Sequence, residues 1–110
     1  MIVEYIRYKM QANSPEALVD AYRAAAGALQ DSPVCLGYEL TRCVEDPGCV
    51  TVRILWRSVE AHLGEFRSSE QFARFLPHIR PFIGEIEEMR HYAPGDIVWS
   101  REQTAFSSEG

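Results

Sequence analysis

The chain has 110 residues, 46% hydrophobic and 25% charged, with 11 Lys and Arg against 16 Asp and Glu. This length holds one domain with a real core and is too short for two. A formal charge of −5 with no Lys/Arg cluster to neutralise phosphates argues against nucleic acid as a partner.

Met1 leads directly into strand-like sequence, with no basic n-region and no run of eighteen apolar residues, so neither an export signal nor a membrane span is predicted. The cytoplasm is the expected location. Residues 2–10, IVEYIRYKM, alternate: Ile2, Ile6, Tyr8 and Met10 lie on one face, and Val3, Tyr5, Arg7 and Lys9 on the other. A helix follows, with Ser14 as cap, Pro15 at its first position and a stripe of Leu18, Tyr22, Ala25, Ala26 and Leu29; Pro33 ends it.

CLGYELTRC and CVTVRILWR are two strands joined through VEDPG, where Asp46, Pro47 and Gly48 supply turn chemistry for an antiparallel hairpin. Cys35, Cys43 and Cys49 make an odd count with no C-x-x-C, fitting neither a zinc site nor a disulfide framework. Cys43 and Cys49 can face each other across the hairpin, and a reducing cytoplasm would keep them as thiols.

The rhythm changes after Trp56. Val50, Val52, Ile54 and Trp56 share one strand face, whereas Val59, His62, Leu63 and Phe66 fall at i, i+3, i+4 and i+7, the inward stripe of a helix that Ser58 can cap. A second helical piece starts at the capping box Ser68/Gln71, presents Phe72, Phe75 and Leu76, and is expected to stop at Pro77. HIRPFIG reads as irregular or single-turn structure, and EIEEMRHY as a fourth strand. Beyond Ala93 the period is lost, which predicts an arm over 94–110, either disordered or contacting a partner subunit with Trp99 and Phe106 as the residues to clip onto it, outside a domain of residues 1–93.

The order β-α-β-β-α-β is the ferredoxin-like α+β arrangement, with both helices on one face of a four-stranded antiparallel sheet. The other face, with Val3, Tyr5, Thr51, Leu55 and Met89 among charged neighbours, is then uncovered. A second copy, packed sheet against sheet, would bury it.

His62 is the residue with chemical potential. A histidine on an apolar stripe reads either as a core residue bonded to a backbone carbonyl or as a proton acceptor in a site, since its ordinary pKa is near 6.5. Trp56, Phe66, Phe72 and Phe75 are core fillers first and pocket walls second. Tyr5, Arg7 and His78 are candidates for polar contacts; His78 and His91 otherwise read as surface or hydrogen-bonded residues. There is no H-x-H, H-E-x-x-H, G-x-G-x-x-G or Walker loop, so no metal or common cofactor is expected.

MIVEYIRY, CLGYEL and above all ILWRSVEAHLGEFRSSEQFARF, with its Trp-x-Ser-x-Glu-Ala-His run from Trp56 to His62, resemble the antibiotic biosynthesis monooxygenase (ABM) domain of the dimeric α/β-barrel proteins. The resemblance covers roughly residues 1–93. It implies a homodimer with a pocket in each subunit between sheet and helices, and oxidation of a small phenolic, quinol or anthrone-like substrate by O₂ without a cofactor. On that reading His62, Trp56 and Tyr5 are catalytic candidates, and Arg7, Phe66, Phe72, Phe75 and His78 contact the substrate.

Two other functions go with the resemblance. One is haem binding or opening, from which this chain departs: Arg7 stands near the expected Asn, Glu65/Phe66 near the expected Trp, and Leu76 near the axial His, with His78 two residues on. The other is a non-catalytic dimer that binds a small aromatic or accompanies a haemoglobin-like partner.

Overall fold

The computed structural model describes residues 1–101. Four strands, β1 (Ile2–Lys9), β2 (Cys35–Arg42), β3 (Cys49–Trp56) and β4 (Ile86–Tyr92), form one sheet in the order β2-β3-β1-β4, with every neighbouring pair antiparallel. Helices α1 (Pro15–Asp31) and α2 (Glu70–Ile79) pack side by side over one face. This is the expected ferredoxin-like β-α-β-β-α-β fold.

Local chemistry explains the element ends. Ser14 Oγ accepts from Ala17 N–H at 3.1 Å to open α1, with Pro15 at the first position, where its missing N–H costs nothing. The β2–β3 turn closes through Asp46, whose carbonyl accepts from Cys49 N–H and whose side chain accepts from Gly48 N–H. Cys35, Cys43 and Cys49 are all free thiols.

The core fills the space between helices and sheet: Ile6 and Tyr8 from β1, Val50, Val52, Ile54 and Trp56 from β3, and Leu18, Tyr22, Ala25, Ala28 and Leu29 from α1. Ala28 takes the place expected of Ala26, which sits at the margin of the α1 stripe.

Three expectations are corrected on the helical side. The residues after Ser58 do begin a helix, and Ser58 Oγ does accept from Ala61 N–H at 2.9 Å, but Ala61–Phe66 is a π-helical turn closed by Arg67 N–H on the His62 carbonyl at 3.3 Å. The wider turn adds a residue to the cycle, so Ala61, His62 and Phe66 face inward and Leu63 is turned out to 44% exposure. The cap of α2 is Ser69, whose Oγ accepts from Phe72 N–H; Ser68 instead donates to the Gly64 carbonyl. Pro77 does not stop α2, which runs to Ile79 before a 3₁₀ segment, Arg80–Glu85.

The helix-free face also differs from the alternation pattern. Met89 pairs with Ile6 and so points to the helix side. Val3 and Leu55 are on the helix-free face but buried, Leu55 lying over Gly37, where a Cβ would approach its Cδ1 to 3.2 Å. Residues 93–101 form no helix or strand, and Ile97, Val98 and Trp99 are exposed; Phe106 lies outside the described residues. Among the described residues no helix is long and apolar enough to cross a membrane.

Candidate functional site

Between the sheet and α2 lies a cavity of about 260 Å³. Its walls are mostly aromatic and aliphatic. The lining includes the rings of Trp56, Phe66, Phe72, Phe75, Tyr8 and Tyr22 and the aliphatic side chains of Ile79, Ile83, Ile86 and Met89. Phe66 stands at the centre of the ring cluster, 4.7 Å from Trp56, 5.4 Å from Phe72 and 5.8 Å from Phe75, centroid to centroid. Trp56, Phe66, Phe72 and Phe75, the four aromatic residues expected at a slot, all lie in the lining of this cavity.

Polar groups gather at one corner. His62, held inward by the π-helical turn, is only 4% exposed and stacks on Trp56 with centroids 4.2 Å apart and planes 9° apart. Trp56 Nε1–H donates to Glu4 Oε1 at 2.9 Å, and that oxygen lies 3.8 Å from His62 Nε2. On the other edge of the ring, His62 Nδ1 is 2.8 Å from His91 Nε2. Arg67, next in the chain after the π-helical turn, also lines the cavity.

Burial sets the charge states. It pushes the His62 imidazole down to about 4, helped by the nearby cation of Arg67 and by His91. The ring is therefore neutral near pH 7, with one N–H and one lone pair. Burial raises the Glu4 carboxyl, an effect partly offset by the Trp56 hydrogen bond and by Arg67. His91 is lowered by burial and then by Arg67. Tyr8 and Tyr22 share a hydrogen bond of 2.7 Å, and burial lifts the Tyr8 hydroxyl to about 12, so this pair stays neutral.

Glu4, His62 and His91 each bring one potential ligand atom to within 4.8 Å of the others, a donor set not foreseen from the sequence. Within the set only His62 and His91 are hydrogen-bonded, at 2.8 Å, while Glu4 Oε1 stands 3.8 Å from His62 Nε2 and accepts from Trp56. A single ion bonded at about 2.0–2.1 Å needs all its ligand lone pairs to converge, whereas His62 turns one ring edge to His91 and the other to Glu4.

Not every candidate residue reaches the cavity. Tyr5 and Arg7 project from the other face of β1, where Tyr5 meets Tyr92 edge to face at 5.4 Å and Arg7 lies 3.7 Å from Glu88. Because α2 continues through Pro77, His78 is exposed while Leu76 lines the cavity. Arg67 thus occupies the place at the site that Arg7 was expected to take. Glu4 had a visible signal, since its even position puts a carboxylate on the apolar face of β1. His91 enters through register, as the partner of Glu4 across β1 and β4. Arg67 depends on the π-helical turn, which no periodicity announces.

Residues 1–77 match the antibiotic biosynthesis monooxygenase family. The chain belongs to that family. Solved structures with the same fold include a candidate antibiotic biosynthesis monooxygenase from Bordetella bronchiseptica, 21% identical with a TM-score of 0.74 over 86% of this chain and 96% of that one. A candidate family member from Chloroflexus aurantiacus is 20% identical, with a TM-score of 0.68 over 86% of this chain and 92% of the other. A variant of SnoaB, a cofactor-independent oxygenase from Streptomyces nogalater, is 14% identical with a TM-score of 0.70 over 84% and 91%. No curated protein sequence is significantly similar.

Proposed function

We propose that this ABM protein is a cofactor-independent monooxygenase that oxidises a small phenolic, quinol or anthrone-like substrate with O₂. The observation that carries the proposal is a neutral, buried imidazole at the polar corner of a cavity otherwise walled by aromatic and aliphatic side chains. Family membership and the oxygenase activity of SnoaB support the same reading.

The ring walls hold a flat aromatic substrate by burial of its faces. His62 takes a proton from it, leaving an electron-rich anion that can pass electrons to O₂. Although a base near 4 is weak in the empty site, a substrate anion within about 4–6 Å raises it again, because the imidazolium then has a counter-charge. The Arg67 cation faces the same anion and stabilises it. Trp56 fixes the plane of His62 by stacking, and Glu4 fixes Trp56 by accepting its indole N–H. For an anthrone the balance is one ring CH₂ and one O₂ giving one C=O and one H₂O.

The haem alternative lacks comparable support, since α2 turns Leu76 to the cavity and His78 away from it. For the helix-free face, with Tyr5, Tyr92 and Thr51 uncovered by any helix, we place a second copy of the chain sheet against sheet. Oxygen uptake with a panel of anthrones and hydroquinones tests the activity: uptake with quinone formation is expected, and no uptake with any of them would overturn it. Sedimentation should give the dimer mass, and a stable monomer at micromolar concentration would remove the second copy.

A further inference from the structure

We propose that His91 carries protons between His62 and solvent, so that the site works with a pair of imidazoles and not with a single base. The inference rests on the oxygenase reading above and deepens it. Its geometric basis is the 2.8 Å contact of His62 Nδ1 with His91 Nε2, made between a ring that is 4% exposed and one that is only half-buried on the edge strand β4.

The need for such a route follows from what surrounds His62. It is stacked on Trp56 and packed near Phe66, with centroids 6.1 Å apart. The charged and titratable groups facing it are Glu4 from β1, Arg67 after the π-helical turn and His91 from β4. Burial and the Arg67 cation both oppose a lasting positive charge on this ring. A proton taken from the substrate therefore needs a way out, and His91 is the partner within hydrogen-bond distance that also reaches towards water.

The two edges of His62 suit the two halves of the transfer. Nε2, on the edge facing Glu4 in the cavity wall, takes the substrate proton, and the electrons of the broken bond stay on the substrate. Nδ1–H then gives its proton to His91 Nε2, and His91 releases its own Nδ1 proton to water. After the substrate anion has reduced and bound O₂, the peroxide takes a proton back along the same route. Its O–O bond then breaks, hydroxide leaves with the remaining C–H proton as water, and a C=O remains. The return proton restores the starting tautomers of both rings.

The test compares wild type with His91→Ala and His91→Gln in two readouts. The first is oxygen uptake with an anthrone as free imidazole buffer is raised. Loss of the relay should lower kcat on the order of 10-fold with KM little changed, and added imidazole, small enough to enter the space left by His91→Ala, should restore much of the rate. Wild type should not respond to imidazole. The second readout, independent of turnover, is exchange of the His62 ring N–H with solvent by NMR, expected to slow on the order of 10-fold in both variants.

Unchanged kcat in both variants, or a loss that imidazole does not relieve together with unchanged exchange, would overturn the relay while leaving the oxygenase reading in place. No uptake by wild type with slowed exchange in the variants would overturn the oxygenase reading and support the proton path. Should the Ala variant be poorly folded, the Gln variant and its exchange rate decide the question alone.

Discussion

Glu4 is 2% exposed, its Oε1 accepts the Trp56 indole N–H at 2.9 Å, and burial raises its carboxyl. If its structural task is to accept that bond, Glu4→Gln should keep it through the amide oxygen and Glu4→Ala should not. The Ala variant strands a buried indole N–H, which costs about 1–3 kcal/mol. For a domain of this size about 1 kcal/mol shifts the thermal midpoint by roughly 4 °C, so the Ala variant should melt roughly 4–12 °C below the Gln variant. A carboxyl raised in the fold contributes stability below its unfolded value and loses it as pH rises through its folded value. Replacing it with an amide removes that loss, so the comparison of Gln with wild type should move in favour of Gln from about pH 5 to about pH 8. Thermal unfolding followed by circular dichroism at both pH values measures all of this. A Gln variant that melts as low as the Ala variant at both would refute the reasoning, because the negative charge would then be supporting the fold.

Phe66→Ala should cost about 3–5 kcal/mol in denaturant unfolding, since Phe66 is 2% exposed at the centre of the ring cluster; a loss under about 1 kcal/mol would mean that the cluster repacks. His62 is lowered from 6.5 to about 4 in the fold, so the unfolded chain binds the extra proton first and stability should fall as pH drops through 6.5 towards 4. The ceiling is about 3 kcal/mol before screening through half-buried His91 is discounted, and His62→Gln should flatten that part of the pH profile. Dialysis against EDTA should leave oxygen uptake unaltered; loss of activity that a divalent metal restores would reassign Glu4, His62 and His91 as ligands.

The fold was legible because its signals were local and periodic: alternation in β1 and β3, the Ser14/Pro15 start of α1, and the Asp46–Gly48 turn. The aromatic wall was legible for the same reason, as its members sit on predicted inward stripes. What periodicity could not show was the non-local part of the site. Register decides that Met89 and His91 share the helix side of the sheet with Ile6 and Glu4. The π-helical turn decides that Leu63 leaves the core and Arg67 arrives at the cavity. Pro77 misleads because α2 continues through it to Ile79 although a proline brings no N–H to the helical ladder, and the continued helix keeps His78 on the outer side. Tyr5 and Arg7 were visible as polar candidates, but strand parity already set them opposite Glu4 and Tyr8.

The central claim is that His62 is the base for oxidation of an aromatic substrate in this cavity. Oxygen uptake with an anthrone, measured for wild type and His62→Ala on preparations whose thermal midpoints are recorded in parallel, tests it most directly. Turnover in wild type and a fall of roughly 10²- to 10⁴-fold in a variant that remains folded is the predicted result. Equal turnover in a destabilised variant would contradict it and leave His62 as a packing residue stacked on Trp56.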